Sequence, residues 1–485
     1  MTRETVQSTL HKNALIGTIW LSSFLVSLDY TAVTVALPTI AQEFNAGTSL
    51  ISWASLTYMI VMAALMFFAG PVIARFGYRK ALSVGLCIFV ATGIACALSP
   101  ALWLLFLMRG LQGVGAAIMI VLGSAVIKTL LPLEDQSRAF AIYATGPMAG
   151  LLAGPTIGGE LVYLINWQSI FLINIPISTV TLLLARSIPA DAGVFTKGPT
   201  ADISGVPRGA STVVLGTISL FSFLVALNQG AEWGWLSPGI VSFYGLCLLS
   251  AIGCFVSEHR SQSPLLDPRF ASAIDFNPSV IALFFVLLQF GAMVFLLPFY
   301  FQWLRNLNPD TIGIILATQP LATILMSILL GVALGKIARR TLSLAGIVLL
   351  VLGAIIFALA QRESPLLFPI GALILIGAGA GLYFPSLFQL SMSHVPDRHA
   401  ASASSIQSAL RIIAQMLGVV IFETIFSGLY PEALNADKAN AATGAQLSAM
   451  QIAFQFTFWC AVAVAALALI PAWCLSHASK KSADK

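Results

Sequence analysis

Apolar runs of about twenty residues recur along the whole chain, and each is long enough to cross a ~30 Å hydrocarbon core as one helix. Within such a core a backbone must satisfy its own N–H and C=O groups, so each run is expected to be helical. The runs fall near 15–38, 49–71, 80–98, 101–126, 137–162, 168–187, 210–228 and 238–257. Six more follow near 276–303, 311–335, 341–360, 366–391, 402–427 and 452–475, which predicts fourteen spans. Only 9% of the 485 residues are charged against 58% hydrophobic, too little charge to cover a water-exposed surface. That excludes a cytosolic enzyme and a disordered chain. The net charge of +5, spread along the sequence, also excludes a nucleic-acid partner. The expected fold is an all-α polytopic protein, multi-pass in the cytoplasmic (inner) membrane with the lipid bilayer around it. The first run, Leu15 to Leu37, is too long for the apolar core of a signal peptide and is read as the first span.

The connectors test this count, because an even number of spans with cytoplasmic termini requires Lys and Arg in alternate loops. One side collects Arg3 and Lys12, then Arg75, Arg79 and Lys80, then Lys128 and Arg138. It continues with Arg186, Lys197 and Arg208, then Arg260 and Arg269, then Lys336, Arg339 and Arg340. Arg398 and the tail residues Lys480, Lys481 and Lys485 complete it, while the other side carries Arg305, Arg362 and Lys438. Arg109 and Arg411 remain, both inside spans.

The chain also repeats itself. An offset of 261 aligns Gly70 with Gly331, Arg75 with Lys336 and Arg79 with Arg340; an offset of 264 aligns Gly113 and Gly115 with Gly377 and Gly379. Two related halves of parallel topology are characteristic of transporters. The expected organisation is a six-helix half over 1–187, linker segments with two inserted helices over 188–275, and a six-helix half with a tail over 276–485. The Gly, Pro, Thr and Ser of 189–209 read as a cytoplasmic linker.

Mid-span polar residues carry the chemistry. A carboxylate such as Asp29 costs roughly 2.5–3.5 kcal/mol to insert, so it must face protein or water. It would carry protons, hold a cationic substrate, or serve as a structural acid bonded to a neighbouring span. Asp29 lies ~21 Å from the cytoplasmic edge of its span at ~1.5 Å per residue, and Arg109, on a span entering from the other side, lies ~18 Å from that edge. The two are therefore expected at one depth, with Arg109 either serving Asp29 or pinning its span to backbone carbonyls. Glu423 and Glu160 fall near the outer rim, where water reaches, and are weaker candidates for proton or cation binding. Ser404, Ser408, Arg411, Gln415 and Gly418 form one polar helical stripe, lining a cavity or packing that span.

Gly150, Gly154 and Gly158 have the small-xxx-small spacing that lets helices approach closely, and Pro155 removes a backbone donor. They are read as tight packing and as a leak-proof rocking contact with the opposite half. The glycines at 113–115 and 377–381 lie inside spans without a strand–turn–helix context, so no nucleotide loop is expected. No P-loop, H-E-x-x-H or G-x-S-x-G motif occurs. No enzymatic activity, cofactor or metal is expected, and the six cysteines read as small buried hydrophobes.

Several of these segments resemble a family. The stretch from Leu28 through Asp29 and Tyr30 to Pro38 is similar to the first-span motif of the fourteen-span drug:proton antiporter branch of the major facilitator superfamily, the EmrB/QacA type. Gly70, Arg75, Gly77, Arg79 and Lys80 resemble that superfamily's cytoplasmic gate motif, and Arg109 to Gly113 its fourth-span motif. Gly150, Gly154, Pro155, Gly158 and Gly159 resemble the antiporter motif of span 5, and Ile170 to Pro176 the opening of span 6. Ala74 replaces the gate aspartate, Tyr78 a basic residue, and Gln168 and Ser169 an Arg-Trp pair. The resemblance implies a major facilitator fold and proton-coupled export of hydrophobic, cationic or neutral small molecules. It implies proton coupling through Asp29 and Arg109, with Glu423 as a further candidate. A midplane cavity between the halves would involve Asp29, Tyr30, Gln112, Arg411 and Gln415. Partners would be the small-molecule substrate and protons, an accessory channel protein being left unidentified. The alternatives are a dedicated exporter of one metabolite, lipid precursor or siderophore, and a non-transporting sensor or assembly factor.

Reporter fusions check the topology. Fusions after Lys80, Pro207 and Arg340 should report cytoplasm, and those after Ala46, Gly234 and Lys438 the outside. A cytoplasmic signal at Gly234 would remove the inserted pair and the fourteen-span arrangement with it.

Overall fold

The computed structural model describes residues 3–189, 210–260, 276–333, 339–392, 400–431 and 444–472. All regular elements among them are helical. The N-terminal series is α1 (Arg3–Glu43), α2 (Thr48–Phe76), α3 (Tyr78–Ala97), α4 (Leu102–Leu130) and α5 (Leu133–Leu164), then α6 (Ser169–Leu172) and α7 (Asn174–Leu184). After these come α8 (Ala210–Trp233), α9 (Pro238–Arg260), α10 (Phe276–Phe299) and α11 (Pro309–Ala333). The last are α12 (Arg339–Leu359), α13 (Leu367–Met392), α14 (Ala400–Leu429) and α15 (Gly444–Leu467). Most of the 189–209 linker lies outside the described residues, as do Lys336, Arg398, Lys438 and the C-terminal lysines.

Thirteen helical stretches among the described residues are long and apolar enough to cross a membrane. The expected span 5 is the exception. It folds as one helix, α5, but Pro147, Pro155, four glycines in a row of every-fourth positions and Glu160 lower its hydropathy. The expected span 6 is present as one stretch, Ser169–Ser187, with a single-residue turn at Ile173. α6 ends at Leu172 and α7 begins at Asn174. Pro176 accounts for this: in an unbroken helix its ring would meet the Leu172 carbonyl, whereas in the first turn of α7 no N–H is needed.

By its internal contacts the chain forms two compact units, Met1–Ile40 with Trp53–Thr217, and Ala41–Ser52 with Ile218–Lys485. Most of α8, all of α9 and the first turn of α2 thus belong to the second unit.

Each unit contains the same glycine-mediated packing. In the first, a Cβ on Gly113 would lie 2.6 Å from the Tyr58 carbonyl of α2, and one on Gly115 2.5 Å from the Gly85 carbonyl of α3. In the second, Gly377 abuts the Gln319 carbonyl of α11, and a Cβ on Gly379 would lie 2.6 Å from the Gly346 carbonyl of α12. The contacted residues are related by the same offset of 261 as the gate motif, and the glycines by 264. The repeat in the sequence is therefore a repeat of three-helix packing. Only glycine permits these backbones to approach so closely.

The span-5 glycines pack closely, as the small-xxx-small spacing predicts. Gly150 faces the Phe24 carbonyl at 2.5 Å and the Leu28 nitrogen at 2.9 Å, Gly154 abuts Thr31, and Gly158 faces the Ala32 Cα at 2.8 Å, each measured from an added Cβ. All these partners belong to α1, in the same unit. Within the first unit the glycine row is a seat for α1. Two hydrogen bonds support it, from Trp20 Nε1 to Thr145 Oγ1 at 2.9 Å and from Thr31 Oγ1 to the Gly150 carbonyl at 3.4 Å.

Gly115→Leu should therefore lower the midpoint of thermal unfolding in detergent, since overfilling a packed core costs roughly 1–3 kcal/mol. Gly371→Ala, where an added Cβ meets nothing within 4 Å, should leave that midpoint unchanged. Equal midpoints for both variants would refute the packing role of Gly115.

Candidate functional site

Seating α1 on the α5 glycines fixes the helix that carries Asp29. Leu28, whose nitrogen and carbonyl line the contacts at Gly150 and Gly154, is its immediate neighbour. Asp29 is completely buried, and so is Arg109 of α4. Arg109 Nη1 donates to Asp29 Oδ2 at 2.6 Å. The two residues that depth alone puts level with each other are thus in direct contact.

The rest of the shell comes from three helices, α4, α7 and α2. Gln112, one turn beyond Arg109, accepts from Arg109 Nη1 at 2.7 Å through Oε1 and donates to Asp29 Oδ1 at 3.1 Å through Nε2. Asn174 Nδ2 also donates to Asp29 Oδ1, at 2.7 Å. Asn174 is the first residue of α7. Arg109 Nε donates to the Ala54 carbonyl of α2 at 3.1 Å, and its guanidinium carbon lies 4.3 Å from the centroid of the Tyr58 ring. Both carboxylate oxygens are therefore engaged, and the cation is held by a carboxylate, two further acceptors and an aromatic face. In a buried site, a pair is tolerated only when its hydrogen-bonding groups are this well matched, and removing one partner typically costs about 3–5 kcal/mol.

Asp29 and Gln112 present no surface in this conformation, so neither lines an open cavity here, contrary to the sequence expectation; Gln112 completes the ion pair instead. Tyr30 is half-buried beside them. In the second unit Gln415 is half-buried and Arg411 exposed, with the Arg411 guanidinium carbon 5.6 Å from the Phe384 ring centroid. In the gate motif, Gly77 takes φ 81°, a left-handed conformation that separates α2 from α3. Arg79 is half-exposed and Lys80 exposed; the side chains of Ala74 and Arg75 and the surroundings of Gly70 lie outside the described residues. Of the antiporter-motif residues, Gly154, Pro155, Gly158 and Gly159 are buried and Gly150 is buried with them.

Glu423 is not water-accessible as its distance along the span suggested. It is fully buried in α14, accepting from Thr48 Oγ1 at 2.9 Å and from Asn228 Nδ2 at 3.0 Å. Position near a span end does not place a side chain in water when two other helices cover it. Asn228 extends the cluster, since its carbonyl oxygens accept from Ser49 Oγ and Gln229 Nε2. Glu423 takes part in neither of the two ion pairs among the described residues. Glu160 is exposed.

Four residues of these sites were not singled out from the sequence for the roles they occupy: Asn174, Tyr58, Thr48 and Asn228. Asn174 had a signal, an amide in an apolar run two residues before proline. Asn228 and Gln229 interrupt the apolar run of α8 in the same way. Nothing local marks Thr48 or Tyr58.

The helical architecture has counterparts among known proteins. The chain is 28% identical over 411 residues to the multidrug resistance protein Stp of Mycobacterium tuberculosis, covering 84% of this chain and 74% of Stp. It is 26% identical over 433 residues to the multidrug transporter protein MdtP of Bacillus subtilis, covering 88% and 77%. It is 27% identical over 457 residues to the riboflavin transporter RibZ of Clostridioides difficile, covering 93% and 95%. The fold is shared with a solved peptide transporter, POT, at a TM-score of 0.67 and 16% identity over 95% of this chain and 94% of that one. A bacterial homologue of the lysosomal transporter Spinster gives 0.64 at 16% identity over 96% and 97%. These proteins are transporters, not enzymes. Residues 19–419, and again 279–484, match one family description, and the chain belongs to the Major Facilitator Superfamily.

Proposed function

We propose that this multi-pass membrane transporter is a proton-coupled efflux antiporter, exporting hydrophobic small molecules across the cytoplasmic membrane by alternating access. The observation that carries this reading is the buried Asp29–Arg109 pair with its shell of Gln112 and Asn174. A proton arriving at Asp29 removes the charge that holds Arg109, and the pair cannot lose one partner without reorganisation. Proton occupancy and helix arrangement are then linked, which is what coupling requires. Glu423, buried with two hydrogen-bond donors and in no ion pair with a described residue, is a second proton-exchanging group in this proposal.

The proposal includes fourteen spans, with α5 as the fourteenth, and both termini in the cytoplasm. It also includes the 1–187, 188–275 and 276–485 organisation and membership of the EmrB/QacA branch. Efflux is supported by the multidrug relatives. The riboflavin transporter, matched over nearly the whole of both chains, favours a second reading: a transporter dedicated to one metabolite. Substrate breadth separates the two. A non-transporting sensor is disfavoured, because a scaffold does not need a fully buried ion pair.

Asp29→Asn keeps the shape and removes the titrating group. Gradient-driven export from proteoliposomes should fall to background, because no titrating group remains at that position, while the protein still elutes as a folded species. Asn174→Ala should weaken coupling less, leaving one donor on Asp29 Oδ1. Normal proton-coupled export by Asp29→Asn would remove Asp29 as the carrier.

A further inference from the structure

The substrate's charge is the one property of the proposed export reaction that the two mid-span arginines bear on directly. In the first unit, Arg109 and Asp29 cancel, and neither has any exposed surface. Both Asp29 oxygens are already hydrogen-bonded. A cationic substrate finds no free carboxylate there.

Arg411 is the opposite case. It lies eleven residues into α14, ~16 Å along a helix that rises ~1.5 Å per residue, and so at mid-membrane depth. It takes part in no ion pair and no hydrogen bond with another described residue. Glu423 is the one acidic residue of its helix, twelve residues further on, and α10, α12, α13 and α15 contain no acid at all. Yet the side chain is exposed. A lipid-facing guanidinium at this depth is strongly disfavoured, and the helix face it occupies is not a lipid face. Gln407, Ala414 and Gly418, at one and two turns along that face, are buried, with Gly418 abutting the Leu288 carbonyl of α10. A guanidinium at this depth is accommodated where it faces water or protein rather than lipid.

The wall beside it is aromatic. Arg411 lies 5.6 Å from the Phe384 ring centroid, and Phe384 packs 5.6 Å from Phe290. Both rings are only half-buried. A planar guanidinium with free donors beside two accessible rings recognises an oxyanion joined to an aromatic body: the fork takes the oxygens and the rings take the hydrocarbon.

We propose that Arg411, Phe384 and Phe290 form a binding site for amphiphilic organic anions, aromatic carboxylates or sulfonates, and that the exported compounds are of this class. The proposal rests on the export reading, but the site itself is testable by binding alone.

The test is equilibrium dialysis of the purified full-length protein in lipid nanodiscs against two probes of matched shape, 2-naphthoate and 2-naphthylmethylammonium. The wild type should bind naphthoate at least about tenfold more tightly, the ratio one charge-assisted hydrogen bond supplies. Arg411→Gln should lose that preference. Arg411→Lys should keep part of it, because the charge stays and the planar fork goes; this variant also guards against a folding defect in the first. Phe384→Ala should weaken both probes alike. No preference for naphthoate in the wild type, or an undiminished preference in Arg411→Gln, overturns the site. An intact preference with no proton-driven export of naphthoate keeps the site and overturns the export reading instead.

Discussion

Burying the Asp29–Arg109 ion pair imposes a demand on most of the first unit. Two charges in a low-dielectric interior are tolerable only if most of their lone pairs and N–H groups are met at close range. The protein supplies an amide from α4, an amide from the start of α7, a backbone carbonyl of α2 and the face of Tyr58, leaving Arg109 Nη2 without a hydrogen bond among the described residues. Each of these must be held to within a few tenths of an ångström. Much of the surrounding helix packing serves that requirement.

Glycine supplies the accuracy. α1 approaches α5 until backbone meets backbone along Gly150, Gly154 and Gly158, and α4 approaches α2 and α3 through Gly113 and Gly115. Lipid tails compete equally well for apolar side chains, so association within the membrane depends on such close approach. The same device in α13 places Gly377 and Gly379 on α11 and α12. The units diverge in what this shared framework carries. One holds a compensated ion pair, the other a buried uncharged-donor shell around Glu423 and an Arg411 in no ion pair with a described residue.

That asymmetry was partly legible in residue positions. Asp29, Arg109 and Arg411 stand out because a charge in the middle of an apolar run is costly and cannot be incidental. The level depths of Asp29 and Arg109 followed from helical rise alone. Rise gives height but not azimuth, so it could not show that Asn174 turns toward Asp29, or that Tyr58 lies under Arg109. It misled at Glu423, where closeness to a span end was taken as access to water although Thr48 and Asn228 close over the carboxylate. The span-5 glycines were legible as a packing face, but a small-residue face does not name its partner helix. The partner proved to be α1.

The sequence by itself determined the class of structure, because apolar runs in a bilayer leave helices as the available solution, and it determined the repeat, because similar glycines at a constant offset demand similar close approaches. Tertiary structure decided which charges are satisfied. Whether a mid-span ion is neutralised or left open depends on side chains that converge from helices far apart in the chain: 80 residues separate Arg109 from Asp29, 145 separate Asn174 from Asp29, and 375 separate Thr48 from Glu423. Electrostatic compensation acts over a few ångströms in space, and spacing along a linear sequence does not encode that distance.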